Sequence, residues 1–218
     1  MPVFLMLLFS LLLPAPPPPT AAVAFQRIAA ATYQQAHRAA RPTVAPATFP
    51  VKALNGQLVI PTAVGPQTFR NIIIDEKAVA NGHSEEETET YTYHGFLPNY
   101  QRHVVEVAFY ETAEWWLISP EGRRLTLYGA PLYAPDQQSI ATICPGLEYS
   151  GGQPNAVQLL QVQQGVLRPV WEVRPENWEP AELFWVNSTT LYLKRTEYPK
   201  GQEGPTTYWK PSIAAKAH

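Results

Sequence analysis

The stretch His103-Val104-Val105-Glu106-Val107-Ala108-Phe109-Tyr110, followed by Trp115-Trp116-Leu117-Ile118, decides the fold class. Side chains of a β-strand alternate between the two faces of a sheet, so both faces of these strands are largely apolar. The adjacent residues Trp115 and Trp116 must point to opposite sides. In a sheet with one solvent-exposed face, apolar and polar residues would alternate regularly along each strand. The sequence therefore predicts sheets that are covered on both sides.

A turn followed by an apolar strand repeats along the chain on either side of this stretch. Its Asn or Asp stands at Asn55, Asn99, Asp136 and Asn187, at intervals of about 40 to 50 residues. Each of the four units offers a second strand, at Phe69 to Asp75, Glu114 to Ser119, Ala156 to Val162 and Thr206 to Trp209. The first three units also offer a third strand, at Thr90 to Tyr93, Leu125 to Tyr128 and Leu167 to Val173. A unit of this size, built from short antiparallel strands, is typical of one propeller blade.

The segment Tyr133-Ala134-Pro135-Asp136-Gln137 resembles the Ser-Pro-Asp-Gly turn of blade repeats in TolB-like and WD40-like propellers. The similarity extends as a pattern over roughly residues 51–210, and Ala134 and Gln137 replace the Ser and the Gly. It implies a fold and carries no catalytic residues, and the whole chain is similar to small exported bacterial proteins. We therefore expect an all-β, propeller-like array of about four short antiparallel blades, as a closed or an incomplete ring, with a β-sandwich as the alternative.

The two ends of the chain differ in composition from this β-rich region. Phe4 to Leu13 is an apolar run that is followed by prolines and by Ala22-Val23-Ala24, which predicts a secretory signal peptide over residues 1–24; a disordered apolar tail or a wrongly assigned start is the alternative. Residues 25–50 are expected to form a short helix over Gln26 to Ala40 and then a Pro-rich linker, because prolines at 42, 46 and 50 exclude a helix there. A single all-β domain is expected over 51–212, and a disordered tail over 213–218.

Charge and composition argue against several classes of partner and cofactor. With 16 Lys+Arg against 18 Asp+Glu and no basic run, a nucleic-acid partner is not expected. No apolar run reaches the length of about 20 residues that a membrane-spanning helix requires. The five His are scattered, so we predict neither a metal site nor a cofactor. The single Cys144 is expected in the core, and its having no intramolecular partner is compatible with export.

The hairpin around Glu111 and Glu114 is the candidate site in the sequence. Paired carboxylates could hydrolyse glycosides, but two acids at a hairpin tip are more often ordinary polar loop residues. If Trp116 lay exposed beside them, the three residues would form a stacking platform with hydrogen-bond acceptors next to it, suited to a sugar or a peptide. We expect a monomeric, secreted or periplasmic binding or scaffold module without catalytic residues, which recognises a protein or a carbohydrate. The alternatives are an extracellular glycan hydrolase that uses Glu111 and Glu114, and a structural component of the cell envelope.

Overall fold

Antiparallel β-structure dominates the computed structural model, which describes residues 23–147 and 152–213. The strands of these two ranges form four separate antiparallel sheets, so the predicted all-β class is confirmed. Two short helices accompany them, α1 (Ala30–Ala39) and α2 (Glu76–Ala80), with 3-10 turns at Glu85–Glu87 and Pro199–Gly201. Within the described ranges, no helix is long and apolar enough to cross a membrane.

The strands follow one another within each sheet, with one exception at the N-terminus. The first strand, β1 (Val23–Arg27), belongs to the last sheet. Sheet I is a hairpin, and sheets II to IV have four strands each. Sheet I contains β2 (Gln57–Ile60) and β3 (Gln67–Arg70); sheet II contains β4 (Glu89–Leu97), β5 (Arg102–Phe109), β6 (Ala113–Ile118) and β7 (Arg124–Leu127); sheet III contains β8 (Leu132–Tyr133), β9 (Ser139–Cys144), β10 (Ala156–Gln163) and β11 (Val166–Val173); sheet IV contains β12 (Trp178–Asn187), β13 (Thr190–Glu197), β14 (Thr206–Ile213) and then β1.

The hydrophobic core lies in three layers between successive sheets. The first cluster joins sheets I and II through residues such as Ile60 and Val105. The second joins sheets II and III through residues such as Leu117 and Ile140, and the third joins sheets III and IV through residues such as Leu159. Sheets II and III therefore bury both of their faces.

The stretch that predicted covered sheets behaves as expected. In β5, Val105 and Val107 contribute to the cluster shared with sheet I, whereas Val104 contributes to the cluster shared with sheet III. In β6, Trp116 packs in the first of these clusters and Trp115 against the second. The prediction that the two tryptophans point to opposite faces is confirmed.

The repeated Asn or Asp occupies the same connection in three sheets. Asn99 and Asp136 lie between the first and second strands of sheets II and III, Asn187 ends the first strand of sheet IV at the same connection, and Asn55 lies in the tight turn before β2. The Asp136 carboxylate accepts a hydrogen bond from the backbone N–H of Gln138, and the Asn187 side chain accepts one from Thr189, both at 3.0 Å. Short Asx side chains favour turns by this bond, which accounts for the residue types at these two positions.

One strand belongs to a different unit from the one expected. Thr90 to Tyr93 was predicted as the third strand of the first unit, but it lies in β4 and opens sheet II, where Thr90 pairs with Ala108 of β5. The hairpin at Asn99 joins β4 to β5, so β4 pairs with the next strand in the sequence and not with the strands of the first unit. Sheet I therefore has two strands. At the other end, Thr206 to Trp209 forms part of β14, the second strand after the turn at Asn187, as the repeat predicted.

Residues 25–50 pack onto the sheets. The predicted helix is present as α1, but β1 precedes it and pairs with β14, with Phe25 opposite Pro211. The Pro-rich stretch that follows α1 makes single bridges to sheets III and II and buries Ala45. Residues 1–22 of the predicted signal peptide and 214–218 of the predicted tail lie outside the described residues, and the predicted cleavage position after Ala24 falls within β1.

Candidate functional site

The structure places Trp116 in the core rather than at the surface. Its side chain is 6% exposed, and its indole N–H donates to Glu114 Oε2 at 2.7 Å. The guanidinium carbon of Arg124 lies 4.1 Å from the ring centroid and covers one face of the ring. The hypothesis that Trp116 offers a ring face to a sugar or a peptide is therefore corrected, because this side chain packs in the apolar core between sheets I and II.

Glu111 and Glu114 have different surroundings. Glu111 lines a shallow cavity of about 360 Å³ between the start of β6 and the end of β9, which Trp115 and Cys144 also line. Glu114 is two residues from Trp116 and shares its face of β6, which is the face opposite to Trp115. The described lining residues of this cavity therefore include one of the two predicted carboxylates.

Cys144 and the histidines have specific neighbours. The Cys144 side chain is 6% exposed, as expected for a core residue, and burial raises the pKa of its thiol. His83 and His94 each contact a glutamate, and burial lowers the pKa of His103. In residues 23–147 and 152–213, no three His, Cys, Asp or Glu side chains are grouped as metal ligands would be.

A mainly apolar recess lies elsewhere, between the C-terminal end of α1 and sheet IV. This recess, which we call the cleft, has a volume of about 490 Å³. Residues 40–44 form one wall, Pro131 to Tyr133 form another, and residues 182–185 of β12 form the floor. Its apolar lining includes Val44, Leu132, Phe184 and Trp185.

The wall formed by residues 40–44 follows from the way α1 ends. Pro42 has no backbone N–H and cannot continue the helix. The side chain of Arg41 turns back and donates from Nη1 to carbonyl oxygens of the last turn, including that of Ala40 at 3.0 Å. Thr43 then bridges to Tyr133 of β8. The chain thus leaves the helix in an extended conformation and lies alongside sheet III.

The floor of the cleft follows from the strand alternation of β12. Leu183 and Trp185 are buried in the core between sheets III and IV, whereas Glu182 and Phe184 face α1. The Trp185 indole N–H donates to the carbonyl oxygen of Leu132 at 2.9 Å, which fixes β12 against β8. The cleft is therefore built on hydrogen-bonded strands.

A tyrosine and a histidine hold the one carboxylate among the described lining residues. Tyr33 Oη donates to Glu182 Oε2 at 2.7 Å, and His37 Nε2 lies 2.7 Å from Glu182 Oε1. Tyr33 and His37 are four positions apart on α1 and share a helix face, and both pack against Phe184 with ring centroids 5.2 Å away. Burial, and then the hydrogen bond to Glu182, raise the pKa of Tyr33 above its usual range. Both carboxylate oxygens are thus engaged by side chains.

A second, more polar recess adjoins the cleft at this pair. It has a volume of about 330 Å³ and shares His37 and Glu182 with the cleft. Arg38 of α1 and Lys194 of β13 contribute cationic groups to its lining. The cleft therefore has an apolar body and a polar end at which cationic side chains gather.

This site was not predicted from the sequence. The helix was expected in a leader segment, and His37 is one of five histidines scattered along the chain. The available signal was the spacing of Tyr33 and His37, which places a hydroxyl and an imidazole on one face of a helix otherwise rich in Ala and Gln. Their partner Glu182 is distant in sequence, and no local pattern connects it to the helix.

No protein-family model matches the chain, and no curated protein matches it either. Function is therefore inferred from the geometry of the cleft and its surroundings.

Proposed function

We propose that the protein is an exported, non-catalytic binding module and that the cleft between α1 and sheet IV is its ligand site. The observation that carries the proposal is a recess of about 490 Å³ with mainly apolar walls and a polar end. Ligand sites are typically concave, of about 300 to 1,000 Å³, and lined by apolar and aromatic residues with a few polar groups. Export is proposed from the apolar run at Phe4 to Leu13.

The exposure of one residue supports a binding role for the cleft. Val44 lines the recess and is 84% exposed, although it is a large apolar residue. A ligand in the cleft would remove this side chain and its neighbours from water, and apolar burial of this kind drives binding.

The state of the carboxylate favours binding over catalysis. A general acid or base needs an oxygen that can reach a substrate proton. Both oxygens of Glu182 are already engaged, one by Tyr33 and the other by His37. Their arrangement holds the helix on the sheet.

For the architecture, we propose an incomplete propeller-like array. Support comes from the succession of four sheets with core layers between them, from the strand order of sheets II and III, and from the repeated Asx turns. Sheet IV takes its fourth strand from the start of the chain, so the first and last described strands lie side by side. In this arrangement the cleft lies beside the junction of sheets III and IV.

Binding of a neutral solvatochromic dye such as Nile red tests the site. We expect the dye to bind the full chain, and Val44→Asp to weaken binding at least about fivefold, because the change removes apolar contact and adds a charge. The matched control is Val64→Asp, since Val64 is 79% exposed and lies outside the cleft. Equal dye affinity for the two variants would refute the assignment of the cleft.

A further inference from the structure

The charges around the cleft indicate which class of ligand it takes. We infer that the ligand is an amphipathic anion, with an apolar chain that lies in the cleft and an acidic head group at the end where Arg38, Arg41 and Lys194 gather. This inference rests on the proposed function, since it names the ligand of the same site.

The cationic groups outnumber the anionic ones at this end. Arg41 lines the cleft, and Arg38 and Lys194 line the adjoining polar recess. Glu182 is the single carboxylate among the described lining residues of the two recesses. Even with that carboxylate ionised and His37 neutral, the site carries an excess of positive charge.

The cationic groups are also accessible. Arg38 is exposed on α1 and Lys194 is partly exposed on β13, and neither forms an ion pair with another residue of the described ranges. Arg41 uses Nη1 for the carbonyl groups at the end of α1. A guanidinium has five N–H donors in a planar fork, so Arg38 and Arg41 both suit a carboxylate, sulfonate or phosphate head group.

The opposite charge on a ligand is disfavoured. A cationic head group would have to pair with Glu182, whose two oxygens already accept from Tyr33 and His37 at 2.7 Å. It would also lie beside like charges on Arg38 and Lys194. A neutral head group would gain no charge attraction from these side chains. Affinity should therefore fall from an anionic to a neutral to a cationic head group.

The enclosure of the cleft favours a free amphiphile over a lipid that stays in a membrane. Three segments of the chain surround the recess, namely residues 40–44, Pro131 to Tyr133 and β12. A single apolar chain can enter such a recess from solution. A bilayer surface would instead require a broad apolar face.

A series of ligands with one chain and three head groups tests the inference. Decanoate, decanol and decyltrimethylammonium, each below its micellar concentration, are titrated by calorimetry into the full chain at neutral pH and low salt. We expect decanoate to bind about tenfold more tightly than decanol, because each exposed ion pair contributes up to a few-fold, and decyltrimethylammonium to bind more weakly than decanol. The advantage of decanoate should shrink at high salt, because salt screens exposed charges.

Variants assign the effect to the named cations. The double variant Arg38→Gln, Lys194→Gln should remove most of the advantage of decanoate over decanol, with Arg41 left to supply the rest, while leaving decanol binding unchanged. Lys77→Gln on α2 is the matched control, since Lys77 is exposed and lines neither recess. Equal binding of decanoate and decanol to the unaltered chain would overturn the inference and leave the cleft as a site for apolar ligands. Failure of all three ligands and of the neutral dye would overturn the proposed function itself.

Co-sedimentation with vesicles separates the two sources of an anionic amphiphile. Vesicles that contain phosphatidylglycerol should not retain the full chain at physiological salt. Retention that Val44→Asp abolishes would overturn the choice of a free amphiphile.

Discussion

Replacing Phe25 with alanine should weaken the attachment of the N-terminal strand to the rest of the protein. Phe25 lies in β1, opposite Pro211 of β14, and is partly buried. Its ring centroid lies 5.7 Å from that of Trp171 in β11 and 6.2 Å from that of Trp178 in β12. Phe25 thus links β1 to the core layer between sheets III and IV.

The expected loss can be worked from these contacts. A fully buried Phe→Ala change costs about 3 to 5 kcal/mol, and each aromatic pair contributes about 0.5 to 1.5 kcal/mol beyond its buried area. Since Phe25 is only partly buried, we expect Phe25→Ala to cost about 2 kcal/mol. For a chain of this length, 1 kcal/mol corresponds to a change of about 2 to 4 °C in the unfolding midpoint, so the midpoint should fall by about 4 to 8 °C.

Thermal unfolding followed by circular dichroism and by tryptophan fluorescence measures this change. Fluorescence should also differ before unfolding, because Trp171 and Trp178 lose an aromatic neighbour. The control is Gln26→Ala, an exposed position of the same strand, which should change the free energy of unfolding by less than about 0.5 kcal/mol. If the two variants unfold at the same temperature, the docking of β1 through Phe25 is refuted.

Three further changes test other parts of the fold. Glu114→Ala leaves a buried indole N–H without its acceptor and should cost about 1 to 2 kcal/mol in urea unfolding, whereas the exposed Glu111→Ala should cost less than about 0.5 kcal/mol. Gly129→Ala would push a Cβ into the carbonyl oxygen of Ile143, so it should lower the unfolding midpoint by several degrees, and a neutral result would contradict the close approach. Burial raises the pKa of Tyr133 from 10.0 to about 12, so only the unfolded chain ionises this phenol between those values. The free energy of unfolding should then fall as pH rises from 10 to 12, which urea titrations across that window would measure, and Tyr133→Phe should reduce the fall.

The strands were predictable because their side chains carry a local signal. Strand alternation placed Trp115 and Trp116 on opposite faces, and the apolar character of both faces of β5 predicted its covering by two neighbours. The turns at Asn99, Asp136 and Asn187 were found for the same reason, since a turn depends on residues that are adjacent in sequence.

The pairing of distant segments was not predictable from these patterns. Nothing local in Thr90 to Tyr93 tells whether that strand closes one sheet or opens the next. β1 gives no sign of its partner, because its ladder with β14 depends on residues at the opposite end of the chain. The cleft was not predicted from the sequence for the same reason, because Glu182 contacts Tyr33 and His37 only after the sheets have assembled.

The pairing of β1 with β14 also sets an order of events during synthesis. β1 is the first described strand to be made and β14 is the last, with Val23 opposite Ile213. Sheets II and III can form from neighbouring strands while the chain grows, but sheet IV cannot be completed until β14 has been synthesised. Contacts between such distant positions form slowly, because the intervening chain must first be ordered. β1 therefore stays without its partner strand, and open to other proteins, while all the strands between it and β14 are being made.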